Sequence, residues 1–223
     1  MNIFLKNTCF HKVFLLLLPA VFLVPASLFL SVTGCKKDRL KITVDGKVQD
    51  ATTFAGIAGA TAYLQKVNPD CFSCQGAAIA STTADADGKF KFDFRAEEGY
   101  RYSITAEAPK YFNNFYTGGL ILDVGKKNRP LVSLQPEAYL KLHIKNTQPF
   151  DINDIISINT PFYPGGPGIT YYGNFIDTIA VGKVYGNFNN QFTYWVTKNA
   201  IQTKYSDSVY CPAFDTTFYN INY

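Results

Sequence analysis

The sequence predicts an all-β protein made of two successive β-sandwiches. Three observations carry that prediction. No long stretch places apolar residues at helical spacing; short alternating runs appear instead, broken by Gly, Pro, Asn and Asp. The chain holds 15 Tyr and 19 Phe and is rich in Thr, Val and Ile, a composition that suits pleated, half-buried surfaces. The runs also fall into two sets of about seven, the number one sandwich needs, divided at Pro136–Glu137.

The first set occupies residues 40–135. "LKITVDGKV" alternates at Ile42 and Val44 and then reads as a turn at Asp45–Gly46. "TAYLQKV" and "AAIASTT" follow. In "KFKFDF", Phe90, Phe92 and Phe94 face one way and Lys89, Lys91 and Asp93 the other, so one face is buried. "RYSITAEA", "GLILDV" and "LVSLQ" complete the set. The second set occupies residues 136–223 and opens on "YLKLHIKN", where Leu140, Leu142 and Ile144 alternate with Lys141, His143 and Lys145. It continues through "DIISIN", "FIDTIAVGKV", "QFTYWVTK", "TKYSDSVY" and "TTFYNINY". The connection from Asn159 to Asn174 is long, and loops of that length are usually functional or mobile.

The "DADG" of Asp85–Gly88 poses a choice between a calcium loop and a turn. With Gly88 at the sixth position of an EF-hand loop, Thr83 falls at the first and Phe94 at the twelfth. Both positions need a carboxylate. Asp87–Gly88 between alternating runs therefore reads as a hairpin turn, and no metal is expected there.

Residues 1–34 read as a leader rather than as fold. Lys6 and Lys12 precede an apolar run, Val13 to Val32, interrupted by Pro19 and Pro25. At its end "SVTGCKKD" resembles the lipobox of bacterial lipoproteins, with Val32, Thr33 and Gly34 ahead of Cys35. The resemblance implies cleavage before Cys35, a thiol carrying diacylglycerol, and a short lipidated tether at 35–39. Lys36 after the cysteine, rather than Asp, implies the outer membrane. The run is also long enough to span a bilayer, so a retained anchor helix is the alternative.

Residues 40–135 are similar to the carboxypeptidase regulatory-like domain, a transthyretin-like sandwich. Thr83, Asp87, Gly88, Phe90, Phe92, Tyr102 and Tyr111 stand in that pattern, while Lys110 replaces the glycine usual before the last tyrosine. The resemblance implies a fold and says little of activity. Residues 136–223 show an immunoglobulin-like strand pattern.

The chemistry-bearing residues are few. Cys71 and Cys74 form a CxxC without the strand–helix setting of a redox motif. An exported compartment favours a disulfide between them, with zinc or reduced thiols as alternatives. Cys211 reads as a small buried apolar residue. Beyond the leader, His143 is the chain's one histidine, on the polar side of its run, and no nucleophile elbow or phosphate loop is present. Catalysis and cofactors are therefore not expected, and the lesser alternative is a hydrolase whose acidic residues converge between the two sandwiches. The net charge of +4 includes two leader lysines and gives no reason to expect nucleic acid. The expected partners are a membrane, through the lipid, and an envelope protein or a glycan. Aromatic loops supply the candidates for the last, above all Tyr163, Tyr171, Tyr172 and Phe175. The alternative for these rings is cover for the sandwich ends or the seam between them.

Overall fold

The computed structural model describes residues 39–69, 76–114, 119–163 and 168–223, all of them in one compact unit. The regular elements are β-strands: β1 (Lys41–Asp50), β2 (Thr61–Val67), β3 (Ala77–Thr83), β4 (Lys89–Arg95) and β5 (Arg101–Glu107). Three two-residue strands follow, β6 (Tyr111–Phe112), β7 (Leu120–Ile121) and β8 (Lys127–Asn128). Then come β9 (Leu131–Lys145), β10 (Ile155–Asn159), β11 (Ile169–Tyr172), β12 (Asp177–Tyr185), β13 (Phe188–Lys198), β14 (Ile201–Cys211) and β15 (Thr216–Asn222).

They form three sheets. A seven-stranded sheet runs β12-β9-β1-β4, with β15 and β6 paired to β9 and β8 paired to β1. The two four-stranded sheets run β3-β2-β5-β7 and β11-β10-β13-β14. Buried apolar side chains gather in two clusters. One runs from Ile42 to Leu134 and draws on β1, β2, β5 and the start of β9. The other runs from Ala138 to Ile221 and draws on the rest of β9, β10, β12, β13 and β15. Each four-stranded sheet thus covers one half of the long sheet, and the protein is two β-sandwiches that share a layer.

β9 is the shared element. "LVSLQ" and "YLKLHIK" are one strand of 15 residues instead of two. Val132, Leu134, Pro136, Ala138, Leu140, Leu142 and Ile144 are buried in turn along it, so both cores lie on one side of β9. Pro136 has no N–H to give a ladder, yet it sits inside the strand. It falls where the neighbours of β9 change. β1 pairs with Leu131–Leu134, β6 with Gln135–Pro136, and β12 with Glu137–Lys145. β15 pairs in parallel with Tyr139–Lys145.

Two Asp–Gly pairs depart from their sequence reading. Asp45–Gly46 is no turn; β1 runs straight through it. Gly46 pairs with Phe90, and a Cβ on Gly46 would stand 2.2 Å from the Phe90 ring, so glycine makes room for an aromatic. Asp87–Gly88 does turn the chain, but not as a hairpin: β3 pairs with β2 and β4 with β1, in different sheets. The Asp85 carboxylate accepts from the N–H groups of Asp87 (3.0 Å) and Lys89 (2.8 Å), and Gly88 takes φ 78°. Asp87 itself pairs with Lys89 at 2.8 Å. These carboxylates serve the turn. Phe90 is buried and Phe92 and Phe94 pack on the first core, as the alternation requires.

A polar and aromatic seam joins the sandwiches around β9. Asp50 accepts from Thr52 Oγ1, from the Thr52 and Thr53 N–H groups, and from Tyr111 Oη at 3.0 Å. Burial and the Asp50 carboxylate push the Tyr111 hydroxyl up to about 12. Tyr111 packs edge-on against Phe214, while Asn187 donates to Thr52 Oγ1 (3.0 Å) and Gln135 to the Gly186 carbonyl (2.8 Å). The residue before Tyr111 is Lys110 at φ 65°, in the left-handed region where a side chain costs about 1–2 kcal/mol.

Two outcomes follow from this packing. Leu142→Ala, at a fully buried position of β9, is expected to lower stability by about 2–5 kcal/mol in urea unfolding. Lys110→Gly is expected to raise it by about 0.5–1 kcal/mol, the relieved strain less the added freedom of the unfolded chain.

Candidate binding face

The outer face of the β11-β10-β13-β14 sheet is the strongest candidate site. Its make-up follows from alternation. In β13, Phe192, Tyr194 and Val196 turn to the core, which sends Gln191, Thr193, Trp195 and Thr197 outward. Register carries the face across the sheet. Trp195, the chain's single tryptophan, lies between Ser157 of β10 and Lys204 of β14. Tyr172 of β11 lies beside Ile155, which pairs in turn with Thr197. Hydroxyl pairs lace the strands, Ser157 with Thr170 at 3.1 Å and Thr193 with Ser206 at 3.3 Å.

The face is almost free of charge. Lys204 stands on it, with its Nζ 5.9 Å from the Trp195 ring centre. Tyr172 is 71% exposed. Two strand spacings of ~4.8 Å and two residue rises of ~3.4 Å put Trp195 and Tyr172 about 12 Å apart along the sheet. The arrangement is two aromatic surfaces set among hydroxyls and amides that both donate and accept hydrogen bonds.

A buried carboxylate holds the rim. Asp154 precedes β10 and is fully buried. Its Oδ2 accepts from Asn146 Nδ2 (2.8 Å) and the Phe150 N–H (2.9 Å), and its carbonyl accepts from the Gly173 N–H (2.8 Å) just past Tyr172. Burial alone would raise the Asp154 carboxyl; these donors outweigh it and hold the group below the usual carboxylate range.

The four aromatic residues singled out in the sequence are not gathered. Tyr163 belongs to the seam, 4.4 Å from the Phe112 ring and 5.2 Å from Tyr185. Tyr171 turns inward on the second core. Tyr172 is on the outer face, and Phe175 is 88% exposed just beyond β11. No ring contact joins any two of the four among the described residues. β11 itself lies inside the stretch read as a loop. Sequence reasoning passed over Trp195, although the alternation in "QFTYWVTK" points it outward.

Cys35, Cys71 and Cys74 lie outside the described residues, as does the run Val13–Val32. Among the described residues, no helix is long and apolar enough to cross a membrane, and no group of three or more His, Cys, Asp or Glu is gathered as for a metal. Cys211 is buried in the second core, where burial pushes its thiol up. His143 sits between Asn220 (3.1 Å) and Asp177 (2.6 Å), and the Asp177 carboxylate raises its pKa.

No protein-family model matches the chain, and no curated protein matches it. Among solved structures, the chain is similar to GBS52, the minor pilin of Streptococcus agalactiae, at 9% identity and TM-score 0.37, over 82% of this chain and 94% of that one. It is similar to the Bacillus anthracis TIE protein at 14% identity and TM-score 0.34, over 82% of this chain and 34% of that one. It is also similar to the shaft pilin SpaA from Lactobacillus rhamnosus GG at 7–9% identity and TM-score 0.28–0.29 across its structures, over 82% of this chain and 96% of that one. The chain thus spans about a third of the TIE protein's length.

Asp154→Asn tests the rim. Because the folded Asp154 pKa is depressed, its contribution is full above the ordinary Asp pKa of about 4 and fades as pH falls through the folded value. The stability gap between wild type and Asp154→Asn, measured by urea unfolding, is expected to be constant near neutrality and to shrink below about pH 4.

Proposed function

We propose that this is a non-enzymatic, lipid-anchored protein of the cell envelope that binds a neutral glycan on the outer face of the β11-β10-β13-β14 sheet. The carrying observation is Trp195 and Tyr172 set among Ser, Thr and Gln on an almost uncharged sheet. A sugar ring offers apolar C–H faces and a rim of hydroxyls. Aromatic rings supply flat apolar area with little rotamer freedom to lose, and hydroxyl and amide groups match the rim in both donor and acceptor roles. Anionic ligands would ask for more than one lysine.

The anchor rests on the lipobox at Val32–Cys35, and the outer membrane on Lys36. For residues 40–135, the carboxypeptidase regulatory-like reading is supported by Lys110, whose left-handed backbone is what a glycine at that place would supply. Such a domain would act as the spacer between lipid and binding face.

A glycan array probed with the chain from residue 36 onward is expected to show neutral polysaccharide binding. Trp195→Ala is expected to weaken it by about 2 kcal/mol, as for a tryptophan that anchors an interface. Tyr172→Ala should act in the same direction. No binding, or binding indifferent to both changes, would sink the glycan reading. Globomycin treatment checks the anchor separately: accumulation of the uncleaved precursor supports it, and an unmodified Cys35 in untreated cells removes it.

A further inference from the structure

We propose that the outer face of the seven-stranded sheet is a membrane-docking surface for anionic lipid headgroups, laid against the bilayer that holds the Cys35 lipid. This rests on the anchor reading above.

The face follows from the alternation of β9. Both cores lie on one side of that strand, so its odd-numbered residues, with their cross-strand partners, form one outer surface along both sandwiches. Lysine and arginine concentrate there. β1 and β4 supply Lys41, Lys47, Lys89, Lys91 and Arg95, with Lys127 beside them on β8. Farther along, β9 and β12 supply Lys141, Lys145 and Lys183.

The carboxylates of this face are Asp45, Asp93, Glu137 and Asp177, with Asp87 at its edge, and each is ion-paired with a lysine of the face. Lys47, Lys91 and Lys141 make no ion pair within 4 Å among the described residues; Asp87 and Asp45 act on the first two only at longer range. The surface therefore keeps a positive excess after its internal pairs are made.

Exposed apolar side chains sit among these lysines. Tyr139, Ile179 and Val181 stand outward on β9 and β12, and Phe218 of β15 is 66% exposed beside Lys141. Cations interleaved with exposed apolar groups match an interface of anionic headgroups over acyl chains. The outer face of the sheet opposite the second half carries Trp195, Tyr172 and, of lysines, Lys204, so the charge is one-sided.

Chain connection favours the membrane as occupant. β1 is part of the face, and it begins at Lys41, six residues after Cys35. A tether that short holds this sheet near the bilayer and raises the effective concentration of headgroups. Trp195 would then look away from the membrane.

The test uses the lipidated chain in vesicles brominated near the headgroup, made of phosphatidylcholine alone or mixed with phosphatidylglycerol. The native protein reports from Trp195, and the double variant Trp195→Phe, Phe218→Trp reports from position 218. Quenching is expected at position 218 in the mixed vesicles, lost in about 1 M salt, with Trp195 unquenched throughout. No quenching at position 218, or equal quenching at both sites, overturns the proposal. Flotation with the neutral vesicles reads the anchor alone. If the chain does not float, the anchor reading has failed, and the face is tested by unassisted binding to the mixed vesicles. There Lys47→Ala, Lys91→Ala and Lys141→Ala should each weaken binding about fivefold. Indifference to all three, or binding to a soluble polyanion without vesicle binding, overturns the docking surface.

Discussion

Everything in this molecule depends on one unbroken alternation. For 15 residues β9 sends every second side chain into a core, first into that of one sandwich and then into that of the other. A strand has a side-chain period of two, so a shift of one residue anywhere along it would turn all later core residues to the outside. The two sandwiches are consequently not free to choose their relation. The register that buries Val132 and Leu134 is the register that buries Leu140, Leu142 and Ile144. Domains joined by a linker are by default mobile; here the ladder itself is the joint.

The seam reinforces this joint with groups that are costly to leave alone. Asp50 is almost fully buried, and its carboxylate is met by hydroxyl and backbone donors, including Tyr111. Tyr111 is in turn held by Phe214 from the second sandwich. Separation would expose the rings and strip partners from the carboxylate, and a buried polar group without a partner costs about 1–3 kcal/mol. Such a joint keeps the two outer surfaces at a fixed angle, so a neutral aromatic face and a basic face cannot drift toward the same side.

What could be read from the sequence was what is local in space as well as along the chain. "KFKFDF" declares its buried face because alternation needs no knowledge of the partner strand. The turn at Asp85–Gly88 was legible too, because the Asp85 carboxylate bonds backbone only two and four residues on. Pairing was another matter. Asp45–Gly46 and Asp87–Gly88 are the same letters, yet one lies within a strand and the other links two sheets. The difference is made by Phe90, whose ring occupies the space at Gly46. Pro136 looked like a boundary because proline interrupts a ladder. It is tolerated because the ladder changes partners there, and that depends on strands far away along the chain, β1, β6 and β12. The aromatic residues show the same limit. Tyr171 and Tyr172 are adjacent and face opposite ways, and Tyr163 finds its neighbours in Phe112 and Tyr185. Trp195 is legible in the alternation of β13, but the strands that place Tyr172 on the same face are set by pairing that the sequence does not display.

The last strand has a consequence for how the chain is made. β15 comprises Thr216–Asn222, and it lies parallel to β9, adding Ile221 to the second core and running alongside Leu140 to Ile144. Chains are synthesised from the N-terminus, and domains generally fold as they emerge. The first sandwich has all its strands once β9 has appeared. The second cannot close until β15 has emerged. Through that interval the completed half holds β9 out as a preformed template with its later edge unpaired, so a shortened or stalled chain would leave an adhesive strand on an otherwise finished sandwich.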